Sequence, residues 1–282
     1  MKARGSTRMD RLGIERLCVF GMPPVAFVAL AADLGCRFIG TGLAPMRSYN
    51  PHGYPDWSLK DDPALRRATR AALADRGVSI SLCEGFGVRR EGDVRDYAAD
   101  LDAAGELGAQ RINLASVDRD MNRTLDGFAV LAEMAEARGM DTVIEIGPGP
   151  IGGLDAALAA VRHVGRPGFR LLIDTMHFFR LGGGVEQLAQ LDPDLIGYVQ
   201  LCDAPLKSPF ARYMEEALYE RMAPGDGELP LLEVLKRLPD AVVVSLEVPQ
   251  RSLAEAGIGP YERVGRCVAA ARALLADARR RE

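Results

Sequence analysis

Four positions in this chain set an oxygen-bearing side chain at the end of an apolar, β-branched run: Glu145 in Val-Ile-Glu-Ile, Asp174 in Leu-Ile-Asp-Thr, Gln200 in Tyr-Val-Gln-Leu and Glu247 in Ser-Leu-Glu-Val. A carboxylate on a buried strand is costly unless it is paired, hydrogen-bonded or bound to a cation. Three carboxylates gathered at one point repel one another, and a divalent ion is the simplest partner that would hold them together. Each alone has a plain alternative: Asp174 can cap a helix starting near Thr175, and Glu145 or Glu247 can pair with an arginine. Repetition at four successive strand ends favours the ion. All four residues offer oxygen donors, which suit Mn²⁺ or Mg²⁺ better than Zn²⁺, whose sites usually include His or Cys; Mn²⁺ is the expected ion.

These strand ends belong to a repeating pattern. Short β-type runs at 16–20, 36–41, 78–84, 111–115, 142–146, 170–174, 197–201 and 242–248 alternate with amphipathic segments at 25–34, 64–76, 94–107, 125–138, 154–164, 185–191, 231–238 and 261–279. Eight βα units at roughly even spacing predict an α/β fold, the closed (β/α)8 TIM barrel. An open dinucleotide-binding sheet would carry G-x-G-x-x-G after its first strand, and this chain does not. Gly35, Gly77, Gly108 and Gly139 stand where left-handed caps end helices before the next strand. In such a barrel the loops that follow the strands converge over one mouth, which would bring the four polar residues together.

With 282 residues, 48% of them hydrophobic and 26% charged, the chain is long enough for one large core. No linker-like or low-complexity stretch divides it, so a single domain over 1–282 is expected, with 1–11 as a flexible leader and 279–281 as a basic tail. A formal charge of -4 argues against nucleic acid, which needs Lys and Arg concentrated on one face. Cys18, Cys36, Cys83, Cys202 and Cys267, odd in number and widely spaced, read as buried thiols in a reducing compartment. No apolar run approaches the ~20 residues of a membrane span, and the polar N-terminus lacks a secretory core, so a cytoplasmic protein without a membrane partner is expected.

Two long connections carry aromatic and apolar residues: 42–57 with Met46, Tyr49, Tyr54 and Trp57, and 202–229 with Phe210, Tyr213 and Tyr219. They read equally as lids that exclude water and pack on a sugar face, with Trp57 as a substrate contact, or as a contact within a homo-oligomer. Arg180 and Arg221, with the glycine-containing runs 182–184 and 224–227, offer an anion cradle in which Arg221 would meet a carboxylate, phosphate or ring oxygen. Tight turns explain those glycines equally well. His163 reads as a helix-surface residue and His52 as a loop residue.

Glu145, the run Asp174-Thr175-Met176-His177, the run Gln200-Leu201-Cys202-Asp203, the turn Pro224-Gly225-Asp226-Gly227 and Glu247 together resemble the xylose-isomerase-like barrels. That family includes sugar-phosphate isomerases and epimerases, ketose 3-epimerases, inosose dehydratases and dehydroshikimate dehydratases, and the resemblance spans residues 19–274. It implies that Glu145, Asp174, Gln200 and Glu247 bind a divalent metal and that Glu145 and Glu247 also exchange the substrate proton from opposite faces. It implies further that His177 bonds a substrate hydroxyl. Gln200 departs from the pattern, which usually has His there; an amide is neutral too but a weaker, harder donor. The activity implied is metal-dependent isomerisation or epimerisation of a small keto-sugar or polyol through an enediolate. A lyase or dehydratase acting on a keto-cyclitol, keto-acid or oxidised glycoside starts with the same proton abstraction and stands as the alternative. A multi-zinc repair endonuclease of this fold would need more than the three histidines present. A non-catalytic partner subunit is at odds with the retained glutamate pair.

Overall fold

Side chains two apart along a strand point the same way, and in a closed barrel one of those directions is inward. Phe38, Leu82, Val143, Leu172 and Tyr198 form, with Val243, an apolar cluster separate from the larger core between barrel and helices. Two residues further along the same strands stand Gly40, Glu84, Glu145, Asp174 and Gln200. The inside of the barrel is therefore an apolar plug beneath a polar ring, and the ring lies at the carboxyl ends of the strands.

The computed structural model describes residues 10–46 and 49–280. Eight parallel strands pair in sequence order: β1 Leu12–Glu15, β2 Phe38–Gly42, β3 Ser79–Val88, β4 Arg111–Ser116, β5 Asp141–Glu145, β6 Phe169–Asp174, β7 Ile196–Leu201 and β8 Val244–Leu246. The barrel closes where β8 meets β1, with Leu12 opposite Val244 and Ile14 opposite Leu246. The helices are α1 Pro24–Asp33, α2 Pro63–Arg76, α3 Ala98–Glu106, α4 Met121–Glu136, α5 Leu154–Val164, α6 Thr175–Arg180, α7 Val185–Gln190, α8 Tyr213–Tyr219, α9 Leu231–Arg237, α10 Arg251–Glu255 and α11 Pro260–Arg279. The eight expected helical segments are all present. The short helices α6, α8 and α10 are additions, each following a strand end at the mouth. The four helix-closing glycines all adopt the left-handed conformation. All five cysteines are buried and free. No helix among the described residues is long and apolar enough to cross a membrane.

The first strand lies one element earlier than its sequence suggests. The run 16–20 begins with a 3₁₀ turn over Arg16–Val19, and the strand is Leu12–Glu15. Leu17, Cys18 and Val19 are apolar because they are buried, not because they are extended. Cys18 Sγ accepts the Val248 N–H at 3.1 Å, and the Arg263 guanidinium of α11 lies 5.2 Å from the Phe20 ring. The shift places Glu15 at the inner end of β1 and Arg16 on the mouth. Of the basic leader expected over 1–11, residues 1–9 lie outside the described residues. Arg11 is buried and donates to the carbonyls of Pro239 and Val242, so the fold includes it.

Gly40 faces Glu15 across the β1–β2 pair, and a Cβ at position 40 would overlap the Glu15 carboxylate. Gly40→Ala is expected to cost about 1–3 kcal/mol by overpacking, read as a lower urea midpoint with unchanged slope. A neutral result would mean that Glu15 can vacate this space.

Candidate active site

Glu145 ends β5, Asp174 ends β6, Gln200 lies in β7 opposite Asp174, and Glu247 follows β8. Glu145, His177, Arg221 and Glu247 line one cavity of about 250 Å³ at the barrel mouth, together with Arg16 and Glu84. Met46 and the α8 residues Met214, Ala217 and Leu218 also line it, so both long connections contribute walls. They are tied together by edge-on contacts from Phe20 to Tyr49 and from Tyr49 to Tyr219, with ring centroids 4.9 and 5.5 Å apart.

The four expected ligands do not close on a single point. Glu145, Asp174 and His177 each offer a ligand atom within 4.8 Å of the others, whereas Glu247 groups in that way with Glu15 and Glu84. Arg221, in the connection after α8, lies between the groups. Its Nη1 donates to Asp174 Oδ2 and stands 3.0 Å from Glu247 Oε2, and its Nε donates to the Ala217 carbonyl at 2.9 Å. Gln200 Nε2 donates to Glu247 Oε1 at 3.2 Å and more weakly to Glu84 Oε1 at 3.5 Å, which leaves the amide Oε1 buried without a partner.

Asp174 does two things at once. Its Oδ1 caps α6 by accepting the His177 N–H at 2.9 Å, while its Oδ2 meets Arg221. The cap places His177 one helical turn along, over the mouth. The imidazole Nδ1 bonds the Tyr213 hydroxyl, and Nε2 lies 3.3 Å from both Glu145 Oε1 and Arg221 Nη2. An arginine N–H aimed at Nε2 selects the tautomer protonated on Nδ1. Glu145 Oε2 accepts from Asn113 Nδ2 at 3.3 Å.

Crowding sets the proton affinities. Burial, then the Asp174 and Glu84 charges, push Glu145 up to about 8. Burial, then Glu84, Asp174 and Glu145, raise Glu247 well above the usual carboxylate range against the pull of Arg221. Burial and Glu84 push Glu15 up to about 8. Burial would also raise Asp174, but Arg221 and then His177 hold it below the ordinary value. Burial, helped by Arg221, lowers His177 to about 4, so the ring is neutral at pH 7.

Five carboxylates (Glu15, Glu84, Glu145, Asp174, Glu247) thus share two guanidinium groups, Arg16 and Arg221. That surplus of negative charge, and the donor set Glu145, Asp174 and His177, fit a divalent cation. A neutral imidazole with carboxylates widens the choice beyond Mn²⁺ and Mg²⁺ to Zn²⁺. Without a cation, protons must fill the role. Glu15 and Glu145 keep theirs to about pH 8 when folded but lose them near 4.5 when unfolded, so the folded state binds more protons and stability falls as pH rises. His177 acts in the opposite sense, and its contribution is complete by its unfolded value of 6.5. From there to pH 8, metal-free protein is expected to lose about 3 kcal/mol of unfolding free energy, measured by urea denaturation in chelator. A flat or rising profile would show these carboxylates to be ionised.

Other expected contacts lie elsewhere. Trp57 does not line the cavity; its indole N–H donates to the Gly21 carbonyl at 3.0 Å. Arg180 is no anion contact, because it forms a two-point ion pair with buried Glu216 of α8 and donates to the Pro205 and Leu206 carbonyls. Arg221 does line the cavity, with Nη1 committed to carboxylates and Nη2 facing His177. His52 pairs with Arg263, and His163 with Asp126 on the outer surface. Sequence reasoning passed over Glu84, although it ends an apolar run (Ser-Leu-Cys-Glu) as Glu145 does. It also missed Glu15 and Arg16, hidden by the displaced first strand.

A (β/α)8 barrel with an acid-lined mouth, a strand-six Asp followed one turn later by His, and glutamates after strands five and eight defines a class of barrel. A model of the xylose isomerase-like TIM barrel family matches residues 28–268, and the chain belongs to that family. Among solved structures, the IolI protein described with a bound zinc atom superposes with a TM-score of 0.78 at 16% identity, covering 96% of this chain and 100% of that one. A xylose isomerase domain protein from Alicyclobacillus acidocaldarius gives 0.74 at 19% identity, covering 95% and 99%. D-psicose 3-epimerase from Clostridium cellulolyticum H10, solved with D-tagatose, gives 0.69 at 14% identity, covering 94% and 99%. No curated protein sequence matches the chain.

Proposed function

We propose that this protein is a divalent-metal-dependent isomerase or epimerase of a small, polyhydroxylated keto-sugar or keto-cyclitol, working through an enediolate. The observation that carries the reading is the pairing of Glu145 and Glu247 on one cavity, both with raised proton affinity, beside a cation-binding donor set. Glu145, Asp174 and His177 would hold the ion, with Glu247 and the unpartnered Gln200 Oε1 beside them. When bound, the ion supplies polarisation of the substrate carbonyl, which stabilises the charge that develops as the neighbouring C–H is broken. Epimerase and zinc-binding proteins among the structural neighbours are in keeping with this reading.

A carboxylate that titrates near neutrality suits both taking and returning a carbon-bound proton. One glutamate removes the proton from the hydroxyl-bearing carbon; the other, protonated, returns one. With His177 Nδ1 held by Tyr213 and Nε2 given to the ion, the Nη2 end of Arg221 is left to face the cavity and orient substrate oxygens, while the α8 wall excludes water from the reacting carbon.

The test is solvent-deuterium exchange. Metal-loaded protein is incubated in D₂O with a panel of neutral and phosphorylated ketoses and keto-cyclitols, and deuterium is sought at the α-carbon by NMR. Exchange that vanishes in chelator is expected. Loss of a β-hydroxyl instead of exchange with return would replace isomerisation with dehydration, and no reaction across the panel with metal bound would count against the proposal.

A further inference from the structure

We propose that Tyr213 positions His177 for the ion and, in doing so, couples closure of α8 over the mouth to ion binding. The inference rests on the metal reading above and adds a regulatory element to that site. It starts from two short helices. α6 presents His177 and Arg180, three residues apart and therefore on one face, and α8 presents Tyr213 and Glu216 at the same spacing. The two faces meet in register: His177 Nδ1 bonds the Tyr213 hydroxyl, and the Arg180 guanidinium takes both oxygens of buried Glu216. A second face of α8, with Met214, Ala217 and Leu218, lines the cavity, and a third, with Glu215 and Tyr219, meets Arg251 of α10. The helix thus bridges the mouth from the helix that follows β6 to the one that follows β8.

Of these ties, only the one through Tyr213 reaches a candidate ligand. An imidazole that gives Nε2 to an ion carries its proton on Nδ1 and needs an acceptor there. His177 is buried, and among the described residues the Tyr213 hydroxyl is the one partner of Nδ1. Arg221 Nη2, facing Nε2, favours the same tautomer before any ion is present, so the ring is held ready. The two rings also stack, 14° apart in plane with centroids 5.4 Å apart, which fixes the orientation of the imidazole. Moving α8 off the mouth removes acceptor and stack together, leaves a buried N–H without a partner, and frees the ring to reverse its tautomer or turn away from Glu145 and Asp174.

Linkage makes the coupling reciprocal: whatever factor closed α8 adds to ion affinity, bound ion adds to the closure of α8. The hydrogen-bond partner of a metal-bound histidine typically carries about 10–100-fold of metal affinity. Tyr213→Phe keeps the ring and its stack and loses only the acceptor, so it isolates that factor. The Arg180–Glu216 pair touches no candidate ligand; it seats the helix without sensing the ion.

The test reads binding and motion rather than turnover. Chelator-stripped, full-length protein is titrated with Zn²⁺ by calorimetry, and amide hydrogen exchange over residues 206–221 is followed by mass spectrometry with and without the ion. Tyr219→Phe, which removes a hydroxyl from the α10 face of the same helix, is the control. Zn²⁺ binding is expected to weaken about 10–100-fold in Tyr213→Phe and to stay at the wild-type value in Tyr219→Phe. Bound ion should slow exchange in α8 in wild type and in the control, and fail to do so in Tyr213→Phe. Wild-type affinity in Tyr213→Phe overturns the proposal, and so does equal weakening in both variants, which would assign the loss to a loosened helix. Wild type that binds Zn²⁺ with no change in α8 exchange, or Tyr213→Phe slowed as much as wild type, removes the coupling. If wild type binds the ion and Glu145→Gln loses it while Tyr213→Phe binds as tightly as wild type, the metal of the proposed reaction stands and this role of Tyr213 falls; wild type that binds no ion removes both.

Discussion

Glu145→Gln is expected to cut turnover of a ketose substrate about 1000-fold, within the range by which a positioned acid or base accelerates proton transfer. The amide keeps the shape of the side chain and can still meet Asn113, so folding should be largely unaffected, but it cannot accept the carbon-bound proton. Glu247→Gln should fall as far. The two variants are informative as a pair because inversion at carbon needs one group to remove the proton and another to replace it. If Glu145 removes it, Glu247→Gln retains solvent exchange at the α-carbon without inversion, while Glu145→Gln loses both; the reverse pattern assigns the roles the other way. Glu145 is also a metal-ligand candidate, so its variant is assayed at saturating ion with occupancy verified. Turnover within tenfold of wild type in both would remove the glutamates from the chemistry.

The polar ring was legible in the sequence because of the period of two. Tyr198 and Gln200, Leu172 and Asp174, Val143 and Glu145 each show an apolar interior residue followed two positions on by a polar one. Glu84 follows Leu82 in the same way and was open to the same reasoning. Glu15 was not, because the apolar run that follows it is the stronger strand signal although it folds as a 3₁₀ turn under α11. The reach of His177 over the mouth is local, fixed by the Asp174 cap. What no local pattern reveals is where Arg221 lands. It sits in a long connection, and its position depends on pairings distant in sequence: the Met222 N–H and carbonyl bond the backbone of Asp203, and the Asp203 carboxylate takes the N–H groups of Ala204, Gly225 and Leu229. The sequence therefore presented four ligands in a row, whereas the folded chain divides its acids into two groups with a guanidinium between them.

That guanidinium leads to the second large effect. Arg221→Met is expected to destabilise metal-free protein by about 3–5 kcal/mol, the range seen when one member of a buried ion pair is removed. Asp174 and Glu247 are both buried and would be left facing each other without Nη1. The opposite sign is expected for metal affinity. Arg221 places a positive charge on the oxygens that a divalent ion would use, so its removal should tighten binding by about tenfold or more, given the strength of charge interactions over a few ångströms near a protein interior. Bound ion should then restore part of the lost stability, in proportion to its concentration over its dissociation constant. Thermal denaturation of wild type and Arg221→Met, in chelator and across a Mn²⁺ or Zn²⁺ series, measures both quantities. A variant as stable as wild type in chelator would show that protons already neutralise this pair. Weaker metal binding in the variant would show that Arg221 holds the carboxylates in place for the ion rather than competing with it.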